Sequence, residues 1–495
     1  MSTVKYEPVI GLEVHCQLQT ASKAFSPDSA TFGAGPNQHV DQVSLGHPGT
    51  LPVANARVID YSIKMGLVTN CTIAPRSVFA RKHYFYPDLP KGYQISQFET
   101  PICADGFLEI LDDQEPEAGL KRIGITRIHM EEDAGKSIHD QDPLDTLMDY
   151  NRCGVPLIEI VSEPDIRTPH EAYLYMQRIR QFVRYLGICD GNMEEGSLRC
   201  DANVSVRPVG QEAFGTKTEV KNMNSFRNVE RAIAYEIKRQ IALIESGGEV
   251  VQETLLWDVD AQKTRTMRSK ELAHDYRYFP DPDLVPLVVE ETQLEEIRAG
   301  LPMMPAARIK QYTESLGLPR YDAEVLTEER PTADYFEATL KAYAAKKPDA
   351  DQATAAKTIS NIVMTSVLRV LNEQHLSIVD FPITPENMAG LVDLRLDNKI
   401  SSSGAQTLFD LMLEDAEAPE ALAASHNLLQ VSDTGALLPV VQQVLADNPG
   451  QLAAFRGGKA GLIGYFIGQV MKTFPGSPDP KLVRQMILEQ IEATK

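Results

Sequence analysis

Along Pro8–Thr20 the residues Ile10, Leu12, Val14, Cys16 and Leu18 alternate with Gly11, Glu13, His15, Gln17 and Gln19. A period of two puts the apolar set on one side of a strand and the polar set on the other. Leu198, Cys200, Ala202, Val204 and Val206 repeat the pattern against Arg199, Asp201, Asn203, Ser205 and Arg207. Lys121–Asp133 and Pro156–Asp165 are further strand candidates. One helix among them carries its own start and stop signals. Thr168 fits the N-cap, Pro169 the first turn, Glu171 a capping box and Gly187 the C-terminal cap. Between them Ala172, Met176, Ile179, Val183 and Leu186 recur at helical spacing.

Near residue 300 the pattern changes from strand-like to helical. A boundary is expected around residues 292–305, and Glu414–Asn427 reads as a linker into a last unit. That unit closes on a helix capped by Asp479, with Pro480 behind it and Leu482, Val483, Met486, Ile487 and Ile491 as its apolar stripe. Ser401–Ser403 precede another helical pattern and read as a cap. No repeat of 20–50 residues is visible. Strands and helices mixed without a βαβ rhythm predict an α+β fold with a largely antiparallel sheet.

The 495-residue length predicts two to four domains, and 43% hydrophobic with 24% charged residues is ordinary globular usage. With 48 Lys+Arg against 69 Asp+Glu the net charge is −21, so a nucleic-acid partner would need a locally basic surface. No apolar run approaches the roughly 18–20 residues of a membrane span, and the first residues lack a secretory pattern. The six cysteines are scattered without a C-x-x-C pair, which predicts reduced, buried thiols and a cytoplasmic location.

Phosphate-loop, dinucleotide-binding, kinase and serine-hydrolase motifs are missing. Three polar strand faces remain: Glu13 with His15, His129 with Glu131 (Glu132 adjacent), and Glu159 with Glu163. One such pair alone reads as a solvated outer face. Three in succession point to Mg²⁺ or Mn²⁺ ligands, because hard cations take oxygen donors and Mn²⁺ accepts some nitrogen. Arg81, Lys82 and Lys91 lie among Tyr84, Phe85, Tyr86 and Tyr93, and Arg199, Arg207, Lys217 and Lys221 follow. Metal-holding carboxylates beside phosphate-neutralising cations are what phosphoryl transfer requires. The alternative for the Tyr/Lys stretch is a packed turn with snorkelling lysines.

Seven segments carry a resemblance: VIGLEVH, KHYFYPDLPKGYQISQ, HMEEDAGK, DYNRCGVPLIEIVSEPD, EEGSLRCDANVSVRP, EVKNMNSF and DYRYFPDPDL. Together with KISSSGAQ and FRGGKAGLIGYFIGQVMK further on, they resemble the B subunits of the bacterial aspartyl/glutamyl-tRNA amidotransferases, in order from about residue 4 onward. The resemblance implies a cradle-like domain over 1–297 related to the glutamine synthetase catalytic fold, an all-α helical domain over 298–418, and a small α-helical, tRNA-binding tail over 419–495.

It also implies ATP and Mg²⁺ as cofactors for phosphorylating the side chain of glutamate on tRNA(Gln) or aspartate on tRNA(Asn). Ammonia then displaces phosphate, which leaves readily where a carboxylate oxygen would not. The amidase (A) subunit of the family makes the ammonia, and a closed route keeps it from water and protonation. With the family's small C subunit the complex is a heterotrimer, with no DNA or membrane partner. Carried over, His15, Glu132 and Glu159 are metal ligands, with Glu13 a ligand or its partner. Lys82 and Asp201 join them as catalytic candidates, and Lys82, Lys91, Arg199 and Asn203 as ATP-side contacts. Strand parity leaves Glu131 and Glu132 open.

Many members of the family hold zinc on two cysteine pairs after the first strand. Here Ser26, Asp28, Asp41 and Ser44 stand in those places, with His39 nearby, so no zinc is expected and packing and turn hydrogen bonds must hold the loop. In the tail, Arg456, Lys459, Lys472, Lys481 and Arg484 are the candidate tRNA contacts; the alternative is that Gly457 and Gly458 only pack two helices. A non-catalytic tRNA scaffold and an ATP-dependent ligase of a small-molecule acid are the competing functions.

Overall fold

The computed structural model describes residues 4–493 except 113, 115, 116, 118, 140, 270–275 and 432, so Asp275 of the DYRYFPDPDL segment lies outside the described residues. The chain divides into two compact units, Met1–Met304 and Pro305–Lys495.

The strands of the first unit are β1 (Tyr6–Gln17), β2 (Thr72–Ile73), β3 (Arg76–Ser77), β4 (Ala80–His83), β5 (Tyr93–Ser96), β6 (Cys103–Leu111), β7 (Leu120–Glu132) and β8 (Lys136–Ile138). After them come β9 (Leu147–Asp149), β10 (Pro156–Ser162), β11 (Leu198–Pro208), β12 (Thr218–Lys221), β13 (Glu253–Asp258), β14 (Lys263–Ser269), β15 (Phe279–Pro280) and β16 (Leu287–Val288). Its helices are α1 (Ala56–Val68), α2 (Pro169–Leu186), α3 (Phe226–Glu245) and α4 (Glu291–Ala299). Nine strands form one sheet in the order β14-β13-β12-β11-β1-β10-β7-β6-β2. All its pairs are antiparallel except β12 with β13, so the expected α+β class and largely antiparallel sheet are observed.

The period-two pattern explains the layers. Ile10, Leu12, Val14 and Cys16 of β1, Ile158 and Ile160 of β10, and Cys200, Ala202 and Val204 of β11 form one buried face. Tyr175, Met176, Ile179 and Val183 of α2 and Val229, Ala232 and Ile233 of α3 join the same core. The polar residues of the same strands occupy the opposite face.

Helix α2 starts and stops where its sequence says. Thr168 accepts from the Glu171 amide at 3.0 Å, and Gly187 takes φ 65°, a left-handed conformation glycine adopts without a Cβ penalty. The return bond of the capping box is displaced by one residue, because Glu171 accepts from the Arg167 amide at 2.7 Å.

The first core reaches past residue 297: Leu301 and Met304 pack against it. From Pro305 the described residues are mainly helical, apart from a short parallel strand pair, Gln430–Val431 with Ser477–Pro478, and they hold two further cores. One gathers Tyr335, Phe336, Ile359, Val363, Met388, Leu391 and Leu408; the other gathers Leu437, Val441, Phe466, Val470, Val483 and Ile487. The expected caps are present: Ser401 accepts from the Gly404 amide at 3.0 Å and Asp479 from the Lys481 amide at 2.8 Å. The linker expected at 414–427 is instead partly a helix, Pro419–Ser425, whose Leu422 and Ala423 are buried in the core around Phe336. Its acidic, alanine-rich composition hides a short helix that needs only two apolar residues for its contact. Gly458 takes φ 101°, and the neighbouring Arg456 donates to the Ile491 carbonyl at 3.4 Å, which ties that turn to the last helix.

Candidate metal and phosphoryl-transfer site

Register builds the site. Across β11, β1, β10 and β7, Arg199 lies opposite His15, His15 opposite Glu159, and Glu159 opposite His129. One step along, Asp201 lies opposite Glu13. Four strands therefore deliver polar side chains to one patch of the face away from α2 and α3.

His15, Glu131 and Glu159 each place a donor atom within 4.8 Å of the other two. His15 Nε2 lies 3.3 Å from Glu159 Oε2, and His129 Nε2 lies 3.1 Å from Glu131 Oε1 and 3.6 Å from Glu159 Oε2. Arg127 Nε donates to His129 Nδ1 at 3.4 Å, which leaves the proton on Nε2 to donate to Glu131. Gln94 and Ser96 of β5 donate to Glu131 at 3.1 and 3.0 Å. Lys82 of β4 sets its ammonium 3.8 Å from Glu131.

The charges support one another. Burial works against a charged His15, yet the hydrogen bond and charge of Glu159, with Asp201 and Glu131 behind, raise its pKa to about 9. Burial also opposes ionisation of Glu131 and Glu159, but Lys82 and His129 hold Glu131 below its ordinary range, and His129 and His15 hold Glu159 well below. Burial lowers and Glu131 raises the pKa of Lys82; the net direction is up, so its ammonium stays charged.

A second group, Glu13, Asp201 and Glu219, lies further along the face. Lys221 pairs with Asp201 and sits 3.3 Å from Glu219, while Asn203 donates to Glu13 at 2.8 Å. Arg199 pairs with Asp133 at 2.9 Å, and Gln17 donates to the same carboxylate at 2.8 Å. Of the expected residues, His15, Glu159 and Lys82 come together. Glu13, Asp201 and Asn203 belong to the second group, and Arg199 to Asp133.

Glu132 requires a correction. Its carboxylate does not reach His15 and Glu159; it accepts from the Ile95 amide at 2.9 Å and pairs with Lys91. Lys91 is thus committed to that pair. The physical reason is a bulge. Val161 pairs with Arg127 but Ser162 with Ile125, so Thr126 is an extra residue in β7. Ile123 and Ile125 are buried before it, Ile128 and Met130 after it, and the parity flips between them. Glu219 was missed by the sequence reading, whereas His129 was marked together with Glu131 by the alternation around Ile128 and Met130, and Lys221 was counted only among the basic residues.

The loop after β1 is held by more than packing and turn bonds. Lys23, 0% exposed, pairs with Asp28 at 2.8 Å and donates to the His39 carbonyl at 2.6 Å. Ser44 donates to Asp28 at 2.9 Å, Ser26 bonds Asp28 as well, and Asp41 accepts from the amides of Val43 and Ser44. Elsewhere, a cavity of about 690 Å³ near the C-terminal end of α2 is lined by Arg180, Arg184, Asn192 and Ser225, among others; it contains none of the clustered acids.

The residues align with known proteins along nearly the whole chain. A family model described as the GatB/GatE catalytic domain matches residues 8–295, and one described as the GatB domain matches residues 334–491. A Salinibacter ruber protein is 58% identical over 501 residues, covering 100% of this chain and 99% of its own. Proteins of Pelodictyon phaeoclathratiforme and Geotalea uraniireducens are 53% and 54% identical, each covering 99% of this chain and 100% of its own. All three are named as B subunits of aspartyl/glutamyl-tRNA(Asn/Gln) amidotransferases.

Proposed function

The chain belongs to the B subunits of the glutamine-hydrolysing aspartyl/glutamyl-tRNA(Asn/Gln) amidotransferases, and from that premise we propose that its polar sheet face activates the side-chain carboxylate of a mischarged aminoacyl-tRNA. The substrates are Glu-tRNA(Gln), Asp-tRNA(Asn) or both, with ATP as phosphoryl donor. The carboxylate oxygen attacks the γ-phosphorus of ATP, giving an acyl phosphate and ADP. Ammonia then attacks the acyl carbon, phosphate leaves, and one proton is released as the amide forms.

The observation that carries this reading is the convergence of His15, Glu131 and Glu159 within 4.8 Å, with the Lys82 ammonium beside them. With its proton released to solvent when a cation binds, His15 would offer one imidazole nitrogen, and with the two carboxylate oxygens this set fits Mg²⁺ or Mn²⁺. Bound there, such a cation would offset charge on the phosphoryl oxygens. The protein's own groups supply the rest. His129 orients Glu131 through Nε2–H. Lys82, kept charged by Glu131, neutralises phosphate oxygens. Glu13, Asp201 and Glu219 offer carboxylate oxygens that orient ammonia and accept its proton. A partner amidase supplies the ammonia, and the assembly is completed by a small third subunit.

In the assembled complex, His15→Ala and Glu159→Ala should each abolish ATP hydrolysis that depends on Glu-tRNA while leaving glutaminase activity largely intact. Unchanged hydrolysis in both variants would remove these residues from the reaction. Equal turnover of free glutamate would replace the tRNA substrate by a small acid. Normal tRNA binding without any ATP hydrolysis in the wild type would favour a scaffold.

A further inference from the structure

Beside the metal cluster, two short segments rich in aromatic and basic residues run antiparallel. Arg81 of β4 pairs with Phe279 of β15 and Ala80 with Pro280. His83 Nδ1 lies 3.2 Å from the Arg277 carbonyl, which prolongs the contact toward Tyr84 and Tyr276. Alternation then sorts the side chains. Lys82, Tyr84, Tyr276 and Tyr278 share one side: the Lys82 ammonium sits 5.4 Å from the Tyr276 ring centre, and Tyr276 meets Tyr84 and Tyr278 at 6.3 Å each. Arg81, His83, Tyr93 and Phe279 share the other, with Arg81 4.2 Å over Tyr93 and His83 stacked on Phe279 at 4.7 Å.

The ribbon ends in uncovered rings. Phe85 is 95% exposed, Tyr86 52% and Phe98 45%, and Phe98 stacks on Tyr278 at 4.2 Å with the planes 9° apart. All the exposed large hydrophobic residues of these segments are aromatic. Rings placed in water contribute little to the core, and a cluster of them marks a binding surface. Arg277, between two tyrosines, is held at φ 43°, is exposed, and makes no ion pair among the described residues. Flat rings interleaved with cations suit unpaired bases and their phosphates, whereas a protein-docking patch would also offer aliphatic side chains.

We propose that this ribbon stacks the unpaired 3′-terminal bases of the aminoacyl-tRNA next to the metal cluster. The inference rests on the proposed function and adds the subsite that delivers its substrate. The reacting carboxylate is joined to the terminal ribose through the amino-acid ester, so the last bases must lie close to Glu131 and Lys82. The rings that flank Lys82 are in that place.

The test uses the assembled amidotransferase with Phe85→Ala, Tyr86→Ala and Phe98→Ala, made singly. These rings are largely outside the core, and melting temperature with glutaminase activity will report the fold. Each variant should weaken binding of intact uncharged tRNA about tenfold, since stacking on one ring is worth roughly that much or more. Wild type and variants should bind alike a tRNA lacking its unpaired 3′ nucleotides. KM for ATP should not move, and Phe85→Trp should keep wild-type affinity because indole also stacks. A raised KM for ATP with unchanged tRNA affinity would assign the rings to the adenine of ATP and overturn the proposal. Equal weakening with intact and shortened tRNA, or no weakening at all, would overturn it too. The comparison reads binding alone, so its outcome is separate from whether ATP hydrolysis depends on the aminoacyl-tRNA.

Discussion

The two faces of the nine-stranded sheet are made by the same strands, one residue out of step, yet they work in opposite ways. On one face Ile10, Leu12, Val14, Ile158, Ile160, Ala202 and Val204 are buried with α2 and α3, and any well-filling apolar set would serve. On the other, His15, Glu131 and Glu159 crowd together with His129 and Lys82, and each charge needs its particular neighbour. Carboxylates this close repel each other, and burial disfavours their charged forms. The apolar face supplies the stability that offsets this cost. The difference teaches that stability and chemistry are carried by alternate residues of one strand, so that neighbours in sequence fail in different ways.

Glu131 and Glu132 give the sharpest test. Glu131→Gln should lower kcat/KM for aminoacyl-tRNA amidation by about 100- to 1000-fold, the usual cost of losing one charge-stabilising group, with little change in melting temperature. Glu132→Gln should instead cost about 3–5 kcal/mol of stability, because it strands the buried Lys91 ammonium. A native melt with lost chemistry for Glu132→Gln, and the reverse for Glu131→Gln, would exchange the faces assigned to them.

A step down in size, Ile160→Ala next to Glu159 should destabilise by about 2–5 kcal/mol in chemical denaturation. KM for ATP should stay the same in the folded fraction. A shift in KM would mean that the two faces are coupled and the contrast is too sharp. The smallest effect is expected at Thr168→Ala, which removes the cap of α2 from the helix layer and should cost about 1 kcal/mol. Activity should be unaffected.

Much of this architecture was legible in the sequence. The alternation from Ile10 to Cys16 and from Leu198 to Val206 identified two central strands and which residues share a face, because a period of two leaves no other amphipathic reading. Thr168, Pro169 and Gly187 bounded α2 because caps act locally, through bonds to the next few amides. The shared polar faces of β1, β7 and β10 announced the candidate site, and the motifs within them identified the family.

The tertiary structure decided what depends on distant partners. The bulge at Thr126 puts Glu131, and not Glu132, on the face of His15 and Glu159: residues before it bury odd positions and residues after it even ones, and the pairing with Val161 and Ser162 locates the flip. Leu422 and Ala423 turned an apparent linker into a core helix once the surrounding helices gave them something to pack against. Lys23 and Asp28 became a buried ion pair because the loop folds back on itself, bringing Ser44 and the His39 carbonyl to the same point. Periodicity and capping are properties of a few adjacent residues and are written along the chain. Register, parity after a bulge and the partners of a buried charge are relations between residues far apart in sequence, and they exist only once the sheet has formed.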